Sequence, residues 1–416
     1  MTAVDDADAR PVTPAPGGVG QTSLRDQNLS VLTALAYAAP EPPSRAALAV
    51  ASGLTRSTVS RLVDELLVGG ILRELPRQIV GRGRPATPLA PARRTLVGLG
   101  LEVSPSYVAT RLVDLSGTVL AEQIEPAHPQ GGPPAEVLDG LTATATTLLA
   151  ESAGSWTRLA GVRLAVPGLV AAGGRVLRAP NLGWREVEPA HSLAALAGVA
   201  EPRVGGAGGL VVANEAELAA VAHALDAPGR PAAAPTFFYV SADVGIGGAF
   251  IVDGESMGGR HGWAGEIGHT VVDPDGPQCT CGATGCLEQY AGREALLRAA
   301  GLGEGASLAE LAAAALQPGP ARDAVARAGH ALGVALANVV NLLDVDDIVL
   351  GGQFIPLLDV LRPSLTAELH RRVLAAPWLE VGLRPGRGGA PAPTGGAYAV
   401  LGEVVRDPAR WLPDGA

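Results

Sequence analysis

Three cysteines, Cys279, Cys281 and Cys286, are all the thiols in this chain of 416 residues, and they fall within eight consecutive positions. His269 stands ten residues ahead of the first. Three thiolates and one imidazole form a closed tetrahedral donor set of the kind that holds structural zinc, with no position left for a reactive water. Three thiols cannot all pair with one another, and a reducing compartment disfavours any disulfide. The spacing therefore predicts one zinc per chain. Its effect would be to order a loop, holding Glu288 and the segment from Glu266 to His269 in fixed relation.

A second chemistry is written in the charge. Residues 22–94 carry ten arginines against five acids, a surplus of five positive charges, although the whole chain carries −10 and has no lysine. A basic head on an acidic body points to a polyanion-binding module joined to something that does not bind nucleic acid. Within that head, Arg56, Ser57, Thr58, Ser60 and Arg61 cluster on one face at the start of a helical pattern. Arginine can fork onto guanine, and short hydroxyl side chains reach phosphates or base edges, so these five suit a major-groove reader. Arg82 and Arg84 sit among glycines in "GRGRP", a shape that enters a narrow minor groove.

The elements that must position these side chains follow from periodicity and punctuation. "TSLRDQNLSVLTALAYAA" reads as a first helix, with Thr22 or Ser23 as its cap and Leu24, Val31, Leu32 and Leu35 on one stripe. "SRAALAVASGLTRSTVSRLVDELLVGG" reads as two more, capped by Ser44 and Thr55 and separated by a turn at Gly53. The last of these buries Val59, Leu62, Val63, Leu66 and Leu67. "ILRELPRQIVGRGRPATPL" adds a strand, a turn and a strand, the wing of a winged helix-turn-helix. From Leu96 onward, strands alternate with helices, and "LVGLGLEVSPSYVATRLVDLSG" and "FFYVSADVGIGGAFIVDG" repeat one plan of strand, turn and strand. That repetition predicts a duplicated α/β fold with a cleft between its lobes. With 47% hydrophobic but only 3% aromatic residues, the cores must be built mainly from Ala, Val and Leu. The polar, Pro- and Gly-rich residues 1–21 are expected to be disordered. No basic flank and apolar segment resembles a leader, and no apolar run is free enough of charge, Gly and Pro to span a bilayer, so a cytoplasmic chain without a membrane partner is expected.

"GWAGEIGH", "CTCGATGCLE", "PNLGW" at 180–184 and "NVVNLLDVDDIVLGG" at 338–352 together resemble the ROK family of repressors, open reading frames and sugar kinases. The resemblance runs from about residue 95 to the end, and the head resembles the family's repressor branch. It implies a winged helix-turn-helix over 22–92 followed by a two-lobed, actin-like α/β body over 95–416, assembled as a homodimer or homotetramer, with a sugar in the cleft. It places Asn214, Glu266, His269 and Glu288 among the sugar contacts and Asn181 on the cleft wall. An operator with two-fold symmetry, an inverted repeat, would be the DNA partner.

The kinases of the family carry an Asp-x-Gly-Gly-Thr-like loop and a catalytic Asp after the Asn of an Asn-Asp pair, and this chain departs from both. Glu102 stands for the Asp, Ser104 and Pro105 replace the glycines, and Glu215 occupies the base position beside Asn214. Proline offers no N–H to a phosphate, and an extra methylene displaces the carboxylate when phosphoryl transfer depends on alignment. Asp243 in the second loop adds negative charge where phosphate would sit. The expected function is a sugar-responsive regulator without kinase activity, no residue being catalytic and Glu215 being retained as a hydroxyl contact. The rival readings are an active sugar kinase with a DNA-binding head, and a DNA-binding scaffold whose body only oligomerises.

Overall fold

The structure, a computed structural model, describes residues 21–77, 86–200 and 209–413. The tail expected to be disordered therefore lies outside the described residues except for Gln21, as does the wing tip with Arg82 and Arg84.

Three helices open the chain: Gln21–Ala38, Arg45–Ser52 and Arg56–Val68. Ser44 caps the second by accepting from the Ala47 N–H, and Thr55 caps the third by accepting from the Thr58 N–H. Gly53 makes the turn between them with φ 71°. Strand Leu72–Glu74 pairs antiparallel with Leu89–Pro91, the stem of the expected wing. Two expectations for the first helix need correction. It already includes positions 22 and 23, so neither is its cap, because a capping residue has non-helical backbone. Its buried face is also only partly the expected one: Leu32 is buried and Leu35 packs against the same core. Leu24 and Val31 are exposed at 50% and 46%, while Leu29, Leu32, Thr33, Ala36 and Tyr37 are buried. Those five recur at spacings of three and four, and the polar pair fits because Thr33 Oγ1 donates to the Leu29 carbonyl and Tyr37 Oη to the Ile71 carbonyl, each at 2.8 Å. On the third helix Val59, Leu62, Val63 and Leu66 are buried as expected, but Leu67 is only half-buried.

The body contains the predicted duplication. In the first lobe, Leu96–Val103, Tyr107–Asp114 and Val119–Pro126 form an antiparallel meander. Arg158–Val166 then adds parallel to the first of these, and Leu210–Asn214 adds parallel beyond it. The second lobe repeats that order with Phe237–Ala242, Ile246–Val252, Glu255–Ser256, Asp347–Gly352 and Gly382–Pro385. Helix Pro320–Leu343 is long and apolar enough to cross a membrane, but its apolar face is packed in the second lobe's core.

The C-terminal helix, Pro391–Arg406, lies on the first-lobe sheet at Gly100, where a Cβ would come 1.8 Å from the Pro393 carbonyl oxygen. Its other side continues into the head. Leu401, Val404, Val405, Trp411 and Leu412 share one hydrophobic core with Leu29, Leu32, Ala36 and Tyr37 of the first helix and Leu62 and Leu66 of the third. Polar contacts fasten the same seam: Thr95 Oγ1 donates to the Gly70 carbonyl at 2.6 Å, and the Arg158 guanidinium reaches the carbonyls of Gly69 and Trp411. Only residues 92–95 separate the wing strand Leu89–Pro91 from the body strand Leu96–Val103, and head and body touch directly.

Trp411→Ala removes a fully buried indole from this shared core, at a cost of about 3–5 kcal/mol. The expected calorimetric outcome is a head that melts ahead of the body; a single transition shifted as a whole would contradict it.

Candidate functional site

Between the lobes lies a cavity of about 260 Å³, and Asn181, Asn214, Glu215, Glu266, His269 and Glu288 all line it. Strand ends put them there. Leu210–Asn214 ends at Asn214, which caps helix Glu215–Ala224 by accepting from the N–H groups of Ala216 and Glu217 at 2.8 and 3.2 Å. Its Nδ2 donates to the Gly168 carbonyl at 3.0 Å. The carboxamide oxygen is thus committed to the helix, and one amide hydrogen remains for a ligand. Glu288 opens a short helix, Glu288–Ala291, and accepts from the Ile246 N–H at 3.2 Å. Gly245 sits between the two walls: a Cβ there would meet Asn181 Nδ2 at 2.2 Å and Glu288 Oε2 at 2.5 Å, so no side chain fits.

The cysteine loop is tied to this wall by backbone bonds. Val272 N–H donates to the Gly285 carbonyl and Leu287 N–H to the Thr270 carbonyl, each at 2.9 Å, so the segments bearing Glu266, His269 and Glu288 share one frame. The ligand atoms of His269, Cys279, Cys281 and Cys286 all lie within 4.8 Å of one another. Cys281 and Cys286 Sγ are 3.7 Å apart, too far for a disulfide and close to the ~3.8 Å between ligands of a tetrahedral ion with ~2.3 Å bonds. His269 Nδ1 is the nitrogen turned toward the thiols, 3.9 Å from Cys279 Sγ. The cluster fits a metal ion.

At one part of the cleft wall the two lobes are joined by their own side chains. Ser104 and Ser106 of the first lobe both donate to Asp243 of the second, Ser106 at 2.8 Å, and Gln353 Nε2 donates to Asp243 at 2.6 Å. Ser106 and Gln353 were not anticipated. Gln353 directly follows a parallel strand, and the carboxyl ends of such strands are where ligands gather, a signal that could have found it. Glu102 is 3% exposed and accepts from Tyr107 Oη at 2.9 Å. Burial, opposed by that hydroxyl and by Arg111 and reinforced by Asp243, pushes its carboxyl up to about 8. Burial likewise raises Glu215, with Glu266, Glu102 and Asp243 adding to the effect, and raises Glu266 against the pull of His269.

On the head, Arg56 and Ser57 are exposed at the start of the third helix, while Thr58 and Ser60 are half-buried. The Thr58 hydroxyl is engaged with Thr55 at 2.8 Å. Arg61 is 59% exposed yet held by Glu65 at 2.7 Å, and Glu65 also takes Arg25 at 2.6 Å. The Ser57 hydroxyl also meets Thr55, at 3.0 Å, so Arg56 is presented directly, whereas Arg61 must leave Glu65 to reach a base.

A sequence profile of the ROK family matches residues 99–403, and one of the IclR helix-turn-helix domain matches residues 28–76. The xylose repressor of Bacillus subtilis (strain 168) is 27% identical over 362 residues, covering 86% of this chain and 91% of that protein. The DNA-binding transcriptional repressor Mlc of Escherichia coli (strain K12) is 26% identical over 350 residues, covering 80% and 83%. Among solved structures, a ROK family transcriptional regulator homologous to E. coli Mlc superposes with a TM-score of 0.74 at 25% identity, covering 92% of this chain and 97% of its own. A ROK glucokinase from Streptomyces griseus, in complex with glucose and AMPPNP, gives 0.57 at 25% identity, with 72% and 98% covered.

The Glu102 carboxyl binds its proton more tightly folded than unfolded, so its contribution to stability is full below about pH 4.5 and is lost as pH rises to about 8. At ~1.4 kcal/mol per pH unit, the loss amounts to a few kcal/mol. Glu102→Gln should flatten the fall in Tm between pH 5 and pH 8; an unchanged slope in the variant would show that another group is responsible.

Proposed function

The chain belongs to the ROK family, and from that premise we propose that it is a sugar-responsive transcriptional repressor of carbohydrate genes, holding operator DNA with its head and a sugar in its cleft, without transferring phosphate. One observation carries the reading: a helix-turn-helix is fused through a continuous core to the lobe that bears half of a polar interlobe cleft. A detached head would support tethering alone, whereas this seam lets the state of the cleft reach the DNA reader.

Helix Glu215–Ala224 begins at the cleft and packs on the C-terminal helix, which packs in turn on the first helix of the head. A sugar that draws Glu266 and His269 of one lobe toward Asn181 and Asn214 of the other favours the closed body. Closure acts on DNA by changing the spacing of the two heads in a dimer, which must sit about one helical turn apart on an inverted repeat. A coupling of ~1–3 kcal/mol loosens the operator by roughly 5–150-fold. The arginines of the head supply the sequence-independent part of the affinity, and Arg56 and Arg61, with Ser57, Thr58 and Ser60, the base readout; Arg82 and Arg84 are assigned to the minor groove. We take residues 22–92 as the reader, 95–416 as the sensor, the assembly as a homodimer or homotetramer, and the compartment as the cytoplasm. Relatives named for xylose repression and a neighbour in complex with glucose support a small aldose frame for the ligand.

Kinases occur among the structural neighbours, so phosphoryl transfer is the rival reading. Against it stand Pro105, which has no N–H to offer a phosphate, and Asp243, a carboxylate joined to Ser104, Ser106 and Gln353 that would repel one.

We assign zinc to His269, Cys279, Cys281 and Cys286. The ion's role there is structural, and the protein's own backbone bonds pass its order to Glu266 and Glu288. Protein purified without added metal should contain about one zinc per chain, and Cys281→Ser should lose both metal and sugar binding while the head stays folded; a metal-free chain that binds sugar normally would overturn the assignment.

The function itself is tested by operator binding. Cognate sugar, with no ATP present, should release wild-type protein from an inverted-repeat operator, and Glu266→Ala should bind that operator yet ignore the sugar. Equal release of both proteins would rule out this cleft as the sensor.

A further inference from the structure

The charge of the cleft is one-sided. Glu102, Glu215, Asp243, Glu266 and Glu288 line it, no arginine among the described residues does, and the chain has no lysine. Arg111, the cation that acts on Glu102, is already bound to Glu122, the Ala390 carbonyl and Thr394. Three of the five carboxylates have neighbours that account for them. Asp243 holds its two serines and Gln353, Glu288 accepts from Ile246, and Glu266 lies beside His269.

Glu102 and Glu215 are different. Oε2 of each is buried and receives no hydrogen bond. Glu102 comes from the first strand of the first lobe and Glu215 from the start of the Asn-capped helix, so two independent elements bring an unpartnered acceptor to the same cavity. A buried acceptor without a donor is costly, which makes these two oxygens the places where a ligand's donors gain most. A metal ion does not fit them, since among the described residues only His269 with the three cysteines gathers three or more metal-type ligands close enough to share one ion. An ammonium group on a sugar ring does fit: it brings three donors and a positive charge on a frame large enough to reach both.

Resting on the sugar-sensor reading above, we propose that the cleft is built for an amino sugar, whose ammonium donates to Glu102 Oε2 and Glu215 Oε2, and that it rejects phosphorylated sugars. A phosphate brings ~1.5–2 negative charges into a pocket lined by five acidic side chains with no guanidinium to receive it. Hydroxyl groups of the same sugar still find Glu266, Glu288 and the free amide hydrogen of Asn214.

The test is calorimetric titration of the full chain with gluco-, galacto- and manno-configured sugars. Each is used as the parent aldose, the 2-, 3- and 6-amino-deoxy form, the matching N-acetyl form and the 6-phosphate. At least one amine should bind about tenfold or more tighter than both its parent and its N-acetyl form, and no 6-phosphate should bind as tightly as its parent. In Glu102→Gln and in Glu215→Gln the ratio of amine to parent affinity should fall toward one, thermal melts of both variants confirming that they are folded. Parent sugars that match or exceed every amine, or a 6-phosphate that matches its parent, would overturn the proposal and leave the sensor reading standing. If no sugar binds the wild-type chain at all, the sensor reading falls and takes this inference with it.

Discussion

The packing of the C-terminal helix Pro391–Arg406 is the constraint on which the rest of this molecule depends. One face rests on the first-lobe sheet, closely enough at Gly100 that no side chain could be placed between them. A second face meets helix Glu215–Ala224, whose first turn borders the cleft, and a third enters the head. Protein interiors are close-packed and transmit displacement. A shift of the helix at the cleft therefore cannot be absorbed before it reaches Leu29, Leu32 and Tyr37. Thr95 and Arg158 reinforce the seam by donating to the Gly70 and Gly69 carbonyls just past the third helix, and Arg158 also donates to the Trp411 carbonyl.

Two kinds of order meet in the cleft. Around the cysteines it is local: a tight loop, two isolated strand bridges and four ligand atoms gathered within 4.8 Å. Around Glu102 and Glu215 it is set at a distance, by which strands and helices abut, and it leaves acceptors buried without donors. Such groups reduce the stability of the free protein, which is the usual character of a place where a ligand supplies what the fold lacks. The Ser104, Ser106, Asp243 and Gln353 cluster works in the opposite sense. It joins the lobes by satisfied hydrogen bonds across the cleft.

Much of this was legible beforehand. The caps at Ser44 and Thr55, the buried face of the third helix, the repeated strand plan and the thiol cluster were all read from residue type and spacing, because each is decided within a few positions of chain. The stripe of the first helix was right at Leu32 and Leu35 and wrong at Leu24 and Val31. Thr33, Ala36 and Tyr37 look weak as core residues until their partners, Leu29, Ile71 and the C-terminal helix, are in place. Asn214 was read as a sugar contact, and its oxygen also serves as the cap of the helix that follows it.

The sequence by itself determined what short-range chemistry decides: a basic three-helix head, a duplicated α/β body, a Cys3His cluster and a first loop in which Pro105 offers no N–H. Only the tertiary structure decided that head and body share a core, that Arg61 is held by Glu65, that Asp243 is sealed by Ser104, Ser106 and Gln353, and that Glu102 and Glu215 face one cavity unpartnered. The reason is physical. Caps, turns and metal ligands act through neighbours in the chain, whereas burial and electrostatics depend on which distant segments come together, and residues 29, 102, 215, 243 and 401 have no local pattern that names their partners.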